Sequence, residues 1–457
     1  MGKEYHQPVA GGAHKQNERT ARGANRSHVF RVALIVGVAL LVTGFLMMKG
    51  VVPYHGNMAA TTIDERVGMI LSETPLIDGH DDLAILIRAV YDNHIYDDKF
   101  KVPFTEGGMP YHVDLPRLRA GKAGGAFWSV FVPCPENGTD LSDENYATSV
   151  QWTQLQIDLM NRLMDQYPSD FSGPVTSKTA LAEFRAGKLI SPLGIEGLHQ
   201  IGNKVANLRA FYNLGVKYAT LTHNCGNIYA DAALWEHPFR KAPSFHGGVS
   251  EAGQLLIGEM NRIGMMVDLS HTSEETQLDV LQGKGDWHGS LAPVIFSHSS
   301  AYSLCPHPRN VKDHVLQLVK QRNSLVMVNF SPDFVSCVDN EAENGVPAFY
   351  PPNSTLSYVV DHIMHIGNLI GFEYVGIGSD FDGINSTPEG LDDVSKFPAL
   401  VAELLKRGVS DLDAANVVGG NILRVWKGAE DLAKDLQEEG RTPLEDDLPH
   451  LFTDLNF

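Results

Sequence analysis

Cysteine is scarce, with four in 457 residues, and none lies in a C-x-x-C or C-x-x-H pair of the zinc-knuckle kind. No Gly-rich phosphate loop follows the first apolar strand, which counts against a doubly wound nucleotide-binding sheet. Positive charge is sparse outside the N-terminus. Residues 1–50 hold Lys3, Lys15, Arg19, Arg22, Arg26, Arg31 and Lys49 against Glu4 and Glu18, a net of +5. The whole chain carries −19, which leaves −24 on residues 51–457. A body this acidic excludes a nucleic-acid-binding surface and suits a domain that handles small molecules or metal ions. The tail 431–457 has no apolar stretch of the kind a lipid-anchor signal requires.

One long hydrophobic run exists. Val32 to Met48 is 17 residues without a charge, flanked by Arg31 and Lys49. At about 1.5 Å per residue this reaches the short end of a bilayer span, with the flanking cations snorkelling to the interfaces. A cleaved signal peptide is the rival, since Met58-Ala59-Ala60 supplies small residues. The 31-residue leader and the 17-residue core are both long for that. The expected layout is a basic cytosolic tail (1–31), a signal-anchor helix (32–48), a stalk (49–60), a catalytic body (61–430) and an acidic tail (431–457). The positive leader keeps the N-terminus cytosolic, a single-pass type II arrangement with the body lumenal or extracellular. All four cysteines, Cys134, Cys225, Cys305 and Cys337, lie in that body, as an oxidising compartment predicts, and they allow three pairings. Among the sequons, those at Asn329 and Asn385 are followed by Pro, so Asn137 and Asn353 are the expected glycosylation sites.

Hydrophobic residues make up 43% of the chain, enough for a large core. Apolar, β-branched runs recur through the body at 75–79, 126–132, 191–195, 218–222, 265–269, 294–297, 325–329 and 374–378. Helix-period stretches separate them, including 149–164, 204–213, 251–262, 274–281, 357–365 and 396–406. Eight strands alternating with helices predict a parallel (β/α)₈ TIM-type barrel. The Pro-, Asn- and aromatic-rich loops near 225–247 and 331–356 read as insertions.

Catalytic groups of such a barrel stand at the C-terminal ends of its strands. Those ends carry His80 and Asp82, Glu196, His223, Asp268 and His271, His298, and Asp380 and Asp382. For any one histidine a structural hydrogen-bonded role competes evenly with a functional one. Such strand ends taken together do not fit coincidence. His80, Asp82, Glu196, His271 and His298 exceed what one four-coordinate zinc needs. Glu196 sits between the two groups and could bridge a pair of ions about 3.5–4 Å apart that share a hydroxide, an arrangement used for hydrolysis. All donors are N and O, favouring zinc or a similar borderline ion, and cobalt or manganese suit the same set.

These residues carry a family resemblance. Asp78-Gly-His-Asp-Asp-Leu83, Gly194-Ile-Glu-Gly197, Leu221-Thr-His-Asn-Cys225, Val267-Asp-Leu-Ser-His271, Pro293-Val-Ile-Phe-Ser-His298 and Gly376-Ile-Gly-Ser-Asp-Phe-Asp-Gly383 resemble the motifs of membrane (renal-type) dipeptidases, in order, from about residue 63 to 430. The resemblance implies two zinc ions, one held by His80 and Asp82, the other by His271 and His298, with Glu196 bridging. It implies substrate-binding roles for His223, Arg309 and Asp380. Arg309 can pair bidentately with the free carboxylate of a dipeptide, and without the resemblance it would read as a surface ion pair. His223 can donate to an oxyanion, and Asp380 can shuttle a proton. Asp382 rivals Asp380, because strand alternation puts both on one face, and the resemblance prefers Asp380. Asp268 is expected to orient a ligand.

The resemblance also pairs Cys134 with Cys225 and Cys305 with Cys337. Departures from the family are the missing C-terminal lipid-anchor signal and the missing inter-subunit cysteine, so any homodimer is expected to be non-covalent. Asp81 stands where the family often has Asn, an expected exposed-face change. The longer segment from Cys337 to Asp380 is an expected source of altered substrate preference. The expected activity is hydrolysis of dipeptides to two amino acids. A metal-dependent amidohydrolase acting on cyclic amides or N-acyl amino acids is the alternative, and a non-catalytic membrane receptor a more distant one.

Overall fold

The computed structural model describes residues 62–448. The expected tail, anchor and stalk at 1–60 lie outside the described residues, as do 449–457. Among the described residues no helix is long and apolar enough to cross a membrane.

Eight parallel strands form one sheet in sequence order: β1 (Leu76–Asp81), β2 (Ala123–Ser129), β3 (Leu193–Glu196), β4 (Val216–Thr220), β5 (Met266–Asp268), β6 (Ile295–Phe296), β7 (Leu325–Val328) and β8 (Val375–Ile377). All eight coincide with the apolar runs of the sequence. The edges meet where Asp81 bridges Phe381, with Asp82 N–H donating to Phe381 O at 2.8 Å and Asp380 N–H to His80 O at 3.0 Å. Asp78 on β1 reinforces this closure by accepting from Ser379 N–H at 2.7 Å and from the Ser379 hydroxyl. The sheet is thus a nearly closed α/β barrel.

Nearly every strand residue is buried, because side chains facing outward pack under helices while those facing inward fill the barrel. Helices Leu83–Tyr91, Asp143–Gln166, Val205–Asn213, Glu251–Ile263, Glu274–Gln282, Asp313–Gln321 and Leu356–Ile370 follow the first seven strands. Their starts are chemically marked. Ser142, Ser250, Ser273 and Thr355 each cap a helix by accepting a backbone N–H three residues on.

The last helix, Asn421–Glu438, runs across the expected boundary at 430, since Ala429, Ala433 and Leu436 bury one face of it. Beyond it, Asp446 accepts from Val205 N–H at 2.6 Å and Ala206 N–H at 2.9 Å, docking the acidic tail on a helix N-terminus. Both expected insertions carry small antiparallel hairpins, Leu234–Trp235 with Arg240–Lys241 and Cys337–Val338 with Ala348–Phe349. Lys241 N–H donates to Asn344 O at 2.8 Å and so joins the two insertions.

Candidate metal centre and active site

β1 delivers His80 near its end, and the chain turns at Asp82 to start the next helix. His80 Nε2 lies 3.2 Å from Asp82 Oδ2 and 3.6 Å from Glu196 Oε2. The other Glu196 oxygen, Oε1, lies 2.9 Å from His271 Nε2 and 3.3 Å from His298 Nε2. The two Nε2 atoms of His271 and His298 are 3.0 Å apart. One carboxylate therefore faces His80 with one oxygen and the His271–His298 pair with the other.

Four ligands at about 2.0–2.1 Å around a zinc ion lie roughly 3.3 Å from one another, and these separations straddle that value. The donors are imidazole and carboxylate, as a borderline divalent ion prefers. Asp82 Oδ1 is buried with no hydrogen-bond partner, leaving a lone pair available at the same place. The residues present fit a metal.

Electrostatics agree. Burial pushes the imidazoles of His223, His271 and His298 well down, and neighbouring positive groups add to this, so all three are neutral. Neutral imidazole is the ligand form. Burial would lower His80 too, but the Glu196 and Asp82 carboxylates outweigh it and raise His80 to about 10. A field that favours a proton there favours any cation.

Each imidazole is oriented from behind. His80 Nδ1–H points to the Tyr218 hydroxyl at 2.7 Å. Tyr218 reaches it across Gly194, where a Cβ would come within 2.2 Å of the phenol ring. Ser297 Oγ donates to Asp268 Oδ2 at 2.6 Å and faces His298 Nδ1 at 2.8 Å, so Asp268 acts on His298 through Ser297. His271 Nδ1 faces Asn224 Oδ1 at 2.9 Å. The sequence reading expected an orienting role for Asp268, which here contacts His298 through Ser297, and it passed over Tyr218, Ser297 and Asn224. Their signals were a polar ring inside an apolar strand and polar residues directly beside His298 and His223.

The cavity above these groups measures about 440 Å³ and is lined by Asp82, Glu196, His223, His271, Asp380 and Asp382, with Phe131 and Phe334 among its apolar walls. Asp380 shares a cluster with His80 and Asp82 whose ligand atoms lie within 4.8 Å of one another. Asn329 Nδ2 donates to Asp380 Oδ2 at 3.0 Å, and burial pushes the Asp380 carboxyl up to about 6.

The alternation argument for Asp380 and Asp382 fails. β8 ends at Ile377, and both aspartates adopt left-handed backbone, φ 66° and 63°. Asp382 accepts from His112 N–H at 2.8 Å and donates its own N–H to His112 Nδ1 at 2.9 Å. This engagement sets it apart from Asp380.

Asp81 also departs from expectation. It is 1% exposed, and its Oδ1 accepts from Leu83 N–H at 3.0 Å, because a barrel strand's outer face is covered rather than exposed.

Arg309 is 2% exposed, its guanidinium lies 5.1 Å from the Phe334 ring centre, and its Nε is unpartnered. Its contacts to Ser299 Oγ at 3.5 Å and His298 O at 3.4 Å are long, and no carboxylate of the described residues lies within 4.0 Å. It is not the surface ion pair of the bland reading. Burial lowers it to about 10, and it remains a cation.

The disulfides are Cys134–Cys225 and Cys305–Cys337, leaving no free cysteine. Cys134 and Cys225 lie near His199 and His223, but bridged sulfurs cannot act as thiolate ligands. Of the sequons, Asn137 and Asn385 are exposed, Asn353 is half-buried and Asn329 is fully buried.

A parallel barrel with imidazoles and carboxylates converging at its C-terminal rim defines a metal-dependent hydrolase. The comparisons with known proteins carry this further. The sequence profile of the membrane dipeptidases (peptidase family M19) matches residues 64–440. Dipeptidase aclJ of Aspergillus oryzae is 45% identical over 387 residues, 84% of each chain. Dipeptidase tcpJ of Claviceps purpurea is 43% identical over 410 residues, 90% of this chain and 89% of its own. A metallopeptidase of Rhodobacter sphaeroides, solved with a phosphinate mimic of the dipeptide L-Ala-D-Ala, superposes with a TM-score of 0.63 at 23% identity. That superposition covers 78% of this chain and 99% of the other. The chain belongs to the membrane dipeptidase family, peptidase family M19. It is a metal-dependent dipeptidase.

Proposed function

We propose that two zinc ions serve this enzyme, one held by His80 and Asp82, the other by His271 and His298, with Glu196 shared. The observation that carries this reading is the division of Glu196: Oε2 faces His80, and Oε1 faces His271 and His298. When bound, such ions acidify water and polarise a carbonyl.

The protein's own groups do the rest. Arg309, a buried cation without a carboxylate partner among the described residues, anchors the free C-terminal carboxylate of a dipeptide. That contact restricts the enzyme to dipeptides, because a longer chain would have no carboxylate at this point. His223 supplies an N–H to the oxyanion of the tetrahedral intermediate. Asp380, held by Asn329, takes a proton from the attacking water and returns it to the leaving amine. The metallopeptidase solved with a phosphinate dipeptide mimic supports a dipeptide as the ligand of this architecture.

The test is hydrolysis of a dipeptide panel with chelator and zinc add-back, alongside elemental analysis. About two zinc ions per chain and chelator-sensitive cleavage are expected. Cleavage that survives complete metal removal refutes the reading.

We further propose a type II membrane protein, anchored by 32–48 with the body lumenal or extracellular. The flanking charges and the two disulfides support this placement. Glycosidase treatment of protein from a secretory host should lower its mass through glycans at Asn137 and Asn353. An unchanged mass counts against it.

A further inference from the structure

The tripeptide His223-Asn224-Cys225 follows β4, and each of its residues reaches a different part of the active site. The His223 ring lies 4.4 Å from the His271 ring, and its Nδ1 lies 3.6 Å from Cys134 Sγ. Asn224 Oδ1 faces His271 Nδ1 at 2.9 Å. The Asn224 backbone carbonyl accepts from Glu236 N–H at 2.9 Å, which ties the tripeptide to the hairpin insertion. Cys225 is bonded to Cys134, which comes from the loop after β2.

His271 needs outside help. It stands beyond the end of β5 with a left-handed backbone, φ 64°, so no strand ladder sets its direction. Its carbonyl accepts from Ala233 N–H at 2.7 Å and Thr222 Oγ1 at 3.1 Å, which fixes the backbone but leaves the ring free to rotate. To offer the Nε2 lone pair beside Glu196 Oε1, the ring must carry its proton on Nδ1, and that proton needs an acceptor. Asn224 Oδ1 is the acceptor the structure provides.

Resting on the ligand set proposed above, we infer that Asn224 is the positioning residue for His271, and that the Cys134–Cys225 bridge holds Asn224 in place. Metal retention at the His271–His298 position then depends on one amide at the cavity wall and one disulfide, neither of them among the proposed metal ligands. The Cys305–Cys337 bridge joins the loops after β6 and β7 and includes no residue of the His223–Cys225 tripeptide, which makes it the internal control.

The test measures zinc affinity by competition with a chromophoric chelator, together with the melting temperature of the metal-free protein, for the full chain. Loss of an orienting partner costs roughly 10–100-fold in metal affinity. Asn224→Ala should weaken one of the two zinc ions by that factor while the metal-free melting temperature stays at the wild-type value. Asn224→Asp keeps an acceptor oxygen and should restore most of the affinity. The double variant Cys134→Ser/Cys225→Ser should weaken the same ion more than Cys305→Ser/Cys337→Ser does. Wild-type zinc affinity in Asn224→Ala overturns the inference. So does equal weakening of Asn224→Ala and Asn224→Asp, which would mean a packing role. Failure of the wild-type chain itself to bind two ions would instead refute the ligand set.

Discussion

Asn329 donates through Nδ2 to Asp380 Oδ2 at 3.0 Å, fixing a carboxyl whose residue sits in left-handed backbone at φ 66°. The amide leaves Oδ1 of Asp380 free toward the cluster of His80 and Asp82. A proton shuttle needs this: one oxygen anchored, the other available. Asp380→Asn should lower kcat by about 10²–10⁴-fold, the usual contribution of a general acid–base group. Asn329→Ala removes only the anchor and should cost about 5–100-fold, the price of leaving a buried polar group unpartnered. Steady-state kinetics on a single dipeptide check both, and a harmless Asp380→Asn would remove Asp380 from the chemistry.

Arg309 gives a prediction about substrate rather than rate. Wild-type enzyme should prefer a free dipeptide over its C-terminal amide by roughly 10²–10³-fold in kcat/KM, as expected for a desolvated charge pair. Arg309→Ala should lose that preference by falling on the free acid alone. Comparable cleavage of acid and amide by the wild type would sink the carboxylate anchor.

Gly383 follows the two aspartates, and its lack of a side chain is a spatial requirement. A Cβ there would come 2.2 Å from Asp82 Oδ2 and 2.6 Å from Asp380 Oδ1. Gly383→Ala should therefore displace both carboxylates and abolish most turnover, while far-UV circular dichroism stays that of the folded barrel. Full activity in this variant would show that the loop yields at little cost.

Away from the metal centre, His362 sets a pH dependence of stability. It is fully buried as a neutral ring, Nε2–H donating to Val335 O at 2.8 Å and Nδ1 accepting from Ala301 N–H at 3.0 Å. Burial pushes it down to about 4, against about 6.5 in an unfolded chain. Between those values the unfolded chain binds a proton that the folded one refuses. Stability is therefore undiminished above pH 6.5 and falls as pH drops toward 4, by up to about 1.4 kcal/mol per unit. His362→Gln should flatten that slope in urea unfolding at pH 7 and pH 5. Identical slopes would show that His362 contributes none of it.

Much of this was legible from the chain alone because periodicity reports burial. A barrel strand is covered on both faces, so all eight appear as short apolar runs, and the groups that break each run at its end are those of the rim. That is how His80, Glu196, His271 and His298 were found in order along the chain. The same rule misled where it was extended past a strand end. Asp380 and Asp382 seemed to share a face, yet a left-handed turn and His112, 270 residues away, separate them. Asp81 seemed exposed because strand alternation alone does not say that helices cover the outer face.

Sequence by itself determined which residue types stand at the strand ends, hence the class of chemistry, since alternation and apolar runs are local properties of the chain. Only tertiary structure decided how the two oxygens of Glu196 divide between His80 and the His271–His298 pair. It also decided which neutral partner stands behind each ring: Tyr218, Asn224 or Ser297. Apart from Ser297, which adjoins His298, those contacts join residues tens to over a hundred positions apart, and a local pattern cannot encode a distance that closure of the barrel creates.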